Sequence, residues 1–276
     1  MVELIDNIFQ FLVTLICGIR AMVLYGQTRK QPYFLLSGFY GCWALGGLYW
    51  TLYYCLFSYT PHVFYVSDIT WICSYIFLFI LQYELSNAQE RTFRCWAMWL
   101  APLIGIPLFA FYCTYGDIFL NIGLGVLVIL VSWNSIRGFC YQRGKTEDAV
   151  KSRSFHKTVM LLWITEYGLW TTSCFWVGST LSNPYFWFDF LLTIVLATLL
   201  PVSWKVIEQC PISRMCLSAL PHRFCSLHGV WERDICAFSC SALRGWGHVC
   251  WLLISILFLR WSIMQMHSVL RPKLRR

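Results

Sequence analysis

The sequence predicts an all-α fold, a polytopic membrane bundle of seven transmembrane helices. Three observations carry that expectation. Hydrophobic residues make up 58% of the 276-residue chain and charged residues only 12%, whereas a soluble domain carries about 25% charged residues. Seven apolar stretches each approach the ~20 residues that a helix needs to cross a bilayer. Among the connections between those stretches, Lys and Arg occur only in alternate ones.

The first stretch is Leu4–Tyr25. Glu3 and Asp6 stand where a cleaved signal peptide would be basic, and the basic residues Arg29 and Lys30 come after it. That order suits a retained signal-anchor with its N-terminus outside. The second stretch, Tyr33–Phe57, is followed by a connection, Tyr59 to Val66, without Lys or Arg. The third, Ser67–Leu85, leads into a connection with Arg91 and Arg94. The fourth and fifth, Cys95–Cys113 and Asp117–Ser135, are joined by the short Thr114–Gly116 link and form a predicted antiparallel hairpin.

The strongest basic cluster then follows: Arg137, Arg143, Lys145, Lys151, Arg153 and Lys157. The sixth stretch, Thr158–Thr180, and the seventh, Trp187–Val206, flank a connection, Ser182 to Phe186, without basic residues, and Lys205 and Arg214 close the pattern. Cytoplasmic loops retain positive charge, so the end of the seventh stretch is expected inside, in a plasma or inner membrane. The runs are too long and continuous for barrel strands, and lipid favours helices whose backbone bonds are internal. The net charge of +8 sits beside the apolar runs, which indicates a lipid bilayer as partner and no nucleic acid.

Residues 1–206 are therefore expected to form the transmembrane domain, and 207–276 a cytoplasmic, Cys-rich basic tail. The tail holds Cys210, Cys216, Cys225, Cys236, Cys240 and Cys250, with no Cys-x-x-Cys pair. Its apolar run, Val249–Leu259, is short for a span. The composition suits an interfacial or disordered segment, or translation in a shifted frame from about Gln209. His222 and His228 lack the spacing of a zinc site, and the expectation is no metal and no cofactor. No His-Glu-x-x-His, Gly-x-Ser-x-Gly or phosphate-binding loop is present, so the expectation is a non-enzyme.

Glu166 is the leading candidate for function. It lies near the middle of the sixth stretch, where an acid costs about 2.5–3.5 kcal/mol on insertion scales and usually faces a bundle interior or cavity. Trp163, Glu166, Trp170 and Ser173 share one helix face. An acid between indoles can bind a cation or donate a proton, and it can also simply be bonded, protonated, to a neighbouring helix. Asp68 and Asp189 are expected at the outer mouths of the third and seventh helices. Helix-dipole compensation accounts for them there, and so does lining an outward-facing pocket. Trp43, Trp50, Trp71 and Trp176 can extend an aromatic cavity or serve as core and interfacial anchors. Asn121 and Asn134 can bond across helices, and Gly46, Gly47, Gly123 and Gly125 allow close helix approach.

Trp43, Trp50-Thr51 and Asp68 are echoed by Trp163, Trp170-Thr171 and Asp189. The Trp spacing is identical and the Trp-to-Asp spacing differs by one residue, as expected from a parallel three-plus-one-plus-three repeat of the kind found in transporters.

The acidic outer terminus, the basic turn Gln27–Gln31, the stretch Trp43-Ala44-Leu45-Gly46 and the entrance Asp68-Ile69-Thr70-Trp71 resemble the seven-helix N-terminal sensor regions of bacterial membrane histidine kinases and related signalling proteins. The resemblance covers residues 1–206 and implies a receptor-like sensor for a small molecule. No kinase His motif or ATP-binding Gly-rich region follows, so signalling would need a separate cytoplasmic partner. The alternative is a small-molecule transporter resembling the sugar-exporter and PQ-loop families, although no Pro-Gln pair stands at a helix end.

Overall fold

The computed structural model describes residues 2–57, 65–144, 147–175 and 180–209. Trp176 and the whole of the Cys-rich tail lie outside the described residues. All regular elements among those described are helical: α1 (Val2–Thr28), α2 (Gln31–Phe57), α3 (Tyr65–Leu85), α4 (Ala88–Thr92), α5 (Leu100–Tyr112), α6 (Ile118–Tyr141), α7 (Glu147–Phe175) and α8 (Pro184–Gln209). A single 3-10 turn, Trp96–Trp99, runs into α5, and another, Thr180–Ser182, precedes α8.

Each of the seven apolar stretches corresponds to one of the long helices or to α5. Four helical segments are long and apolar enough to cross a membrane: Leu4–Thr28, Val66–Leu85, Ile118–Tyr141 and Pro184–Gln209. The other three differ for separate reasons. With its 3-10 turn α5 spans only Trp96–Tyr112. Helix α2 carries no charged residue, but its five Tyr, two Trp and four Gly lower its hydropathy. Helix α7 begins eleven residues before the apolar stretch, at Glu147, because the charged Glu147–Lys157 segment continues the same helix. The short α4 was not expected. Asn87 caps it, its Oδ1 accepting the Glu90 N–H at 2.8 Å.

Helices α1, α2, α3, α6, α7 and α8 pack in that order, and α8 returns to α1, which closes a ring. Helix α5 lies against α6 and α7. Several helix contacts carry a polar fastening, as expected where lipid supplies little drive for helices to associate. Tyr40 OH donates to the Leu196 carbonyl at 2.7 Å, joining α2 to α8. Gln82 Nε2 donates to the Val131 carbonyl at 3.2 Å, joining α3 to α6. Trp163 Nε1 donates to Ser135 Oγ at 3.2 Å, joining α7 to α6. On α1 the buried face is Asp6, Gln10, Thr14, Cys17, Ala21 and Leu24, a three- and four-residue spacing that marks one side of a helix.

The four glycines singled out above divide into two kinds. A Cβ at Gly46 or Gly125 would meet a neighbour too closely, Thr70 Oγ1 at 2.7 Å and the Phe109 ring at 2.6 Å respectively. At Gly47 and Gly123 the nearest atoms are at 3.6 and 3.9 Å, ordinary contact. Gly125→Ala is therefore expected to cost about 1–3 kcal/mol through overpacking. Gly123→Ala should instead gain up to ~1 kcal/mol from helix propensity. Melting temperatures of the two purified variants in detergent decide this, and equal shifts would refute it.

Candidate functional site

Helix direction sorts the ionisable groups. Eleven of the chain's Lys and Arg residues fall in the described segments, from Arg20 to Lys205. All lie toward one end of the bundle, where α1, α3, α6 and α8 finish and α2 and α7 begin. We refer to this as the basic end. The contacts there are mutual: Lys30 Nζ is 3.0 Å from the Ile207 carbonyl oxygen and 3.7 Å from Glu208 Oε2, and Arg91 stacks over the Tyr83 ring at 3.8 Å.

At the opposite end a cavity of about 560 Å³ opens between the helices. Its wall comes from the N-terminal halves of α1, α3, α6 and α8 and the C-terminal ends of α2, α5 and α7. Asp68, Asp117, Glu166 and Asp189 line it, and no Lys, Arg or His does. Eight of the lining side chains are Trp or Tyr. Tyr115, Gly116 and Asp117, all exposed, stand at the rim.

Six of the seven residues singled out as ligand-binding candidates meet in this cavity: Glu166, Trp170, Asp68, Asp189, Trp43 and Trp50. Trp163 does not. It is buried against α6, where its indole N–H is used by Ser135. The four-residue step from Glu166 to Trp170 points both into the cavity, and Trp170 Nε1 donates to Glu166 Oε2 at 3.0 Å. Glu166 lies about 12–14 Å from either end of the apolar part of α7, residues 158–175, which is mid-depth in that stretch. The buried Tyr75 hydroxyl, from α3, faces the same carboxyl without completing a hydrogen bond.

The two aspartates differ in setting. Asp68 is in the first turn of α3, where the dipole argument holds. Helix α8 starts at Pro184, so Asp189 is not at its mouth but more than a turn inside, and buried. Its partners replace the dipole as the explanation. Gln10 Nε2 donates to Asp189 Oδ1 at 2.8 Å and lies 3.1 Å from Thr193 Oγ1. Gln10 Oε1 is 3.5 Å from Trp43 Nε1. The Asp6 carboxyl, from α1, is in hydrogen-bond contact with that of Asp189.

Asp6, Gln10, Tyr75 and Tyr112 were not among the expected site residues. For the first two a signal was present: Asp6, Gln10 and Thr14 recur every four residues on an otherwise apolar helix. Asn121 bonds across helices as expected, its Nδ2 donating to the Tyr112 carbonyl at 3.2 Å. Tyr112 OH in turn lies 2.7 Å from Thr171 Oγ1, tying α5 to the cavity end of α7.

Among the described residues no group of three or more His, Cys, Asp or Glu is arranged to hold a metal ion, and no disulfide joins the described cysteines. Comparison with family models, curated proteins and solved structures returned no match for this chain.

Proposed function

We propose that this protein is a receptor-like membrane sensor that binds a small molecule in the cavity between its helices. The single observation behind this reading is the cavity itself, placed at the end of the bundle opposite the basic residues. Its volume falls within the ~300–1,000 Å³ typical of ligand pockets. The positive-inside rule turns the basic end to the cytoplasm and the cavity to the outside. On this reading all seven apolar helices span. Helix α5 with its 3-10 turn measures about 27 Å, close to the ~30 Å hydrocarbon core. Occupancy would shift α7, whose cavity half carries Glu166 and Trp170 and whose other half carries Lys151, Arg153 and Lys157, toward a cytoplasmic partner. No catalytic role is assigned to any residue.

A small-molecule carrier is the second reading, and the helix order favours it. In the ring, α1–α2–α3 and α6–α7–α8 occupy corresponding places, with the α3–α6 seam matched by the α8–α1 seam. Trp50 and Trp170 both line the cavity, as do Asp68 and Asp189. Trp163 breaks the correspondence, since its counterpart Trp43 faces the cavity.

Intrinsic Trp fluorescence of the purified chain should change saturably with a compound that binds the cavity. The same compound is then presented to proteoliposomes. Binding without flux is the expected result, saturable uptake would replace the sensor by the carrier, and a fluorescence response that survives loss of all four cavity tryptophans, Trp43, Trp50, Trp71 and Trp170, would remove the cavity from both.

A further inference from the structure

We infer that the occupant of this cavity is a small organic cation, its ammonium group held at Glu166 and its body against Trp43, Trp50 and Trp170, with Asp68 adding negative charge nearer the cavity mouth. This rests on the cavity being the binding site and adds the chemistry of what it binds.

Charge decides the class first. Four carboxyl side chains line the cavity and no cationic side chain does. An anion would be repelled from such a wall, and a neutral solute gives no reason for carboxyls at mid-depth, where burial of charge is costly.

The acids are not equally spoken for. Asp189 is held by Gln10 and Asp6, and Asp117 caps α6 by accepting the Leu120 N–H at 3.0 Å. Glu166 accepts a hydrogen bond from Trp170 and faces the Tyr75 hydroxyl, which leaves room on a carboxylate with about four acceptor sites. Asp68 makes no hydrogen bond through its side chain among the described residues. Those two carboxyls therefore keep acceptor capacity for an incoming group. The Tyr75 hydroxyl faces Glu166 and belongs to the same opening. It is only 1% exposed, lines the cavity and completes no hydrogen bond. A buried polar group left in that state is costly unless something else engages it.

The wall then distinguishes an organic cation from a metal ion. Trp and Tyr faces attract ammonium groups, and aromatic cages are how quaternary ammonium ligands are recognised. A bare metal ion needs several oxygen ligands converging within about 2–2.6 Å, and no such cluster exists among the described residues. A space of about 560 Å³ suits a molecule with an alkyl or aryl body.

The test uses the full chain in lipid nanodiscs with Trp fluorescence as readout. The cationic probes are choline and benzyltrimethylammonium. The neutral probe is the carbon isostere of choline, with a tert-butyl group for the trimethylammonium, and the anionic probe is benzoate. We expect saturable binding of at least one cation, about tenfold or more tighter than the isostere. Glu166→Gln keeps an acceptor for Trp170 and removes the charge, and should weaken the cation by about tenfold while leaving the isostere unchanged. Asp68→Asn, whose side chain holds no described structural bond, should act in the same direction and keeps the test valid if the first variant fails to fold. Equal binding of cation and isostere, or cation affinity unchanged in both variants, would overturn the cationic ligand and leave the cavity as the binding site. No response to any of the four probes up to millimolar concentration would count against the cavity itself and the cation together.

Discussion

His156→Ala should lower the stability of the folded chain by about 2–4 kcal/mol, from the cavity left by a buried ring and a buried carboxyl left without its neighbour. His156 Nε2 lies 3.2 Å from Glu90 Oε1, and the two side chains are 3% and 2% exposed. Gln142 Nε2 donates to the other Glu90 oxygen at 3.0 Å, so the acid is enclosed from α6 as well as α7. Space for the imidazole exists because residue 138 is glycine. A Cβ there would fall on the His156 ring. Gly138→Val should therefore produce a loss similar to His156→Ala by displacing the ring instead of deleting it. Glu90→Gln combined with His156→Ala should recover part of the loss, since an amide is less costly than a carboxylate to leave facing the vacated space. Thermal unfolding of the four proteins in one detergent tests this, and a double variant no better than His156→Ala would show that charge is not the source.

Gln10→Leu should cost about 2–4 kcal/mol and loosen the seam that closes the ring. Leucine has similar bulk, so the loss comes from polar groups left without partners, at roughly 1–3 kcal/mol each. The Asp189 carboxyl loses its 2.8 Å donor, and the Trp43 N–H loses the acceptor that it approaches at 3.5 Å. The damage should be local to α1 and α8. Cys17, buried on the same face of α1, reports on it. Its rate of alkylation, followed by peptide mass spectrometry, should rise in the variant relative to Cys140 on α6. Wild-type melting with unchanged Cys17 labelling would refute the role given to Gln10.

Hydropathy made the helices legible, and where it stops the reading stopped. The apolar part of α7 is visible from Thr158 onward, but the helix starts at Glu147 because its first eleven residues are helical and polar. Helix α4 escaped notice because Asn87 and Arg91 read as an ordinary basic loop. Its anchorage, Glu90 against His156, joins residues 66 positions apart. Glu166 stood out because it is the one acid near the middle of an apolar stretch. The depth of Asp189 could not be read, since Pro184 and the residues after it look as much like a connection as a helix start. Trp163 shares a helix face with Glu166, yet the position of α6 decides that it packs against Ser135. Local periodicity specifies a face, whereas the neighbouring helix determines what that face meets.

The uneven hydropathy of the helices has a consequence for biogenesis. Helices α2 and α7 fall short of the apolarity that α1, α3, α6 and α8 possess, and in chain order each lies between two of those four. On the seven-span reading, neither would partition into lipid well by itself, because entry during synthesis follows the summed transfer cost of a segment's own residues. Their neighbours supply the difference: α1 and α3 hold α2 from both sides, and α6 and α8 do the same for α7. The lasting insertion of α2 then waits on α3, and that of α7 on α8, each made after it. Nascent chains halted between the members of such a pair would expose an aromatic helix that only the next one brings to rest.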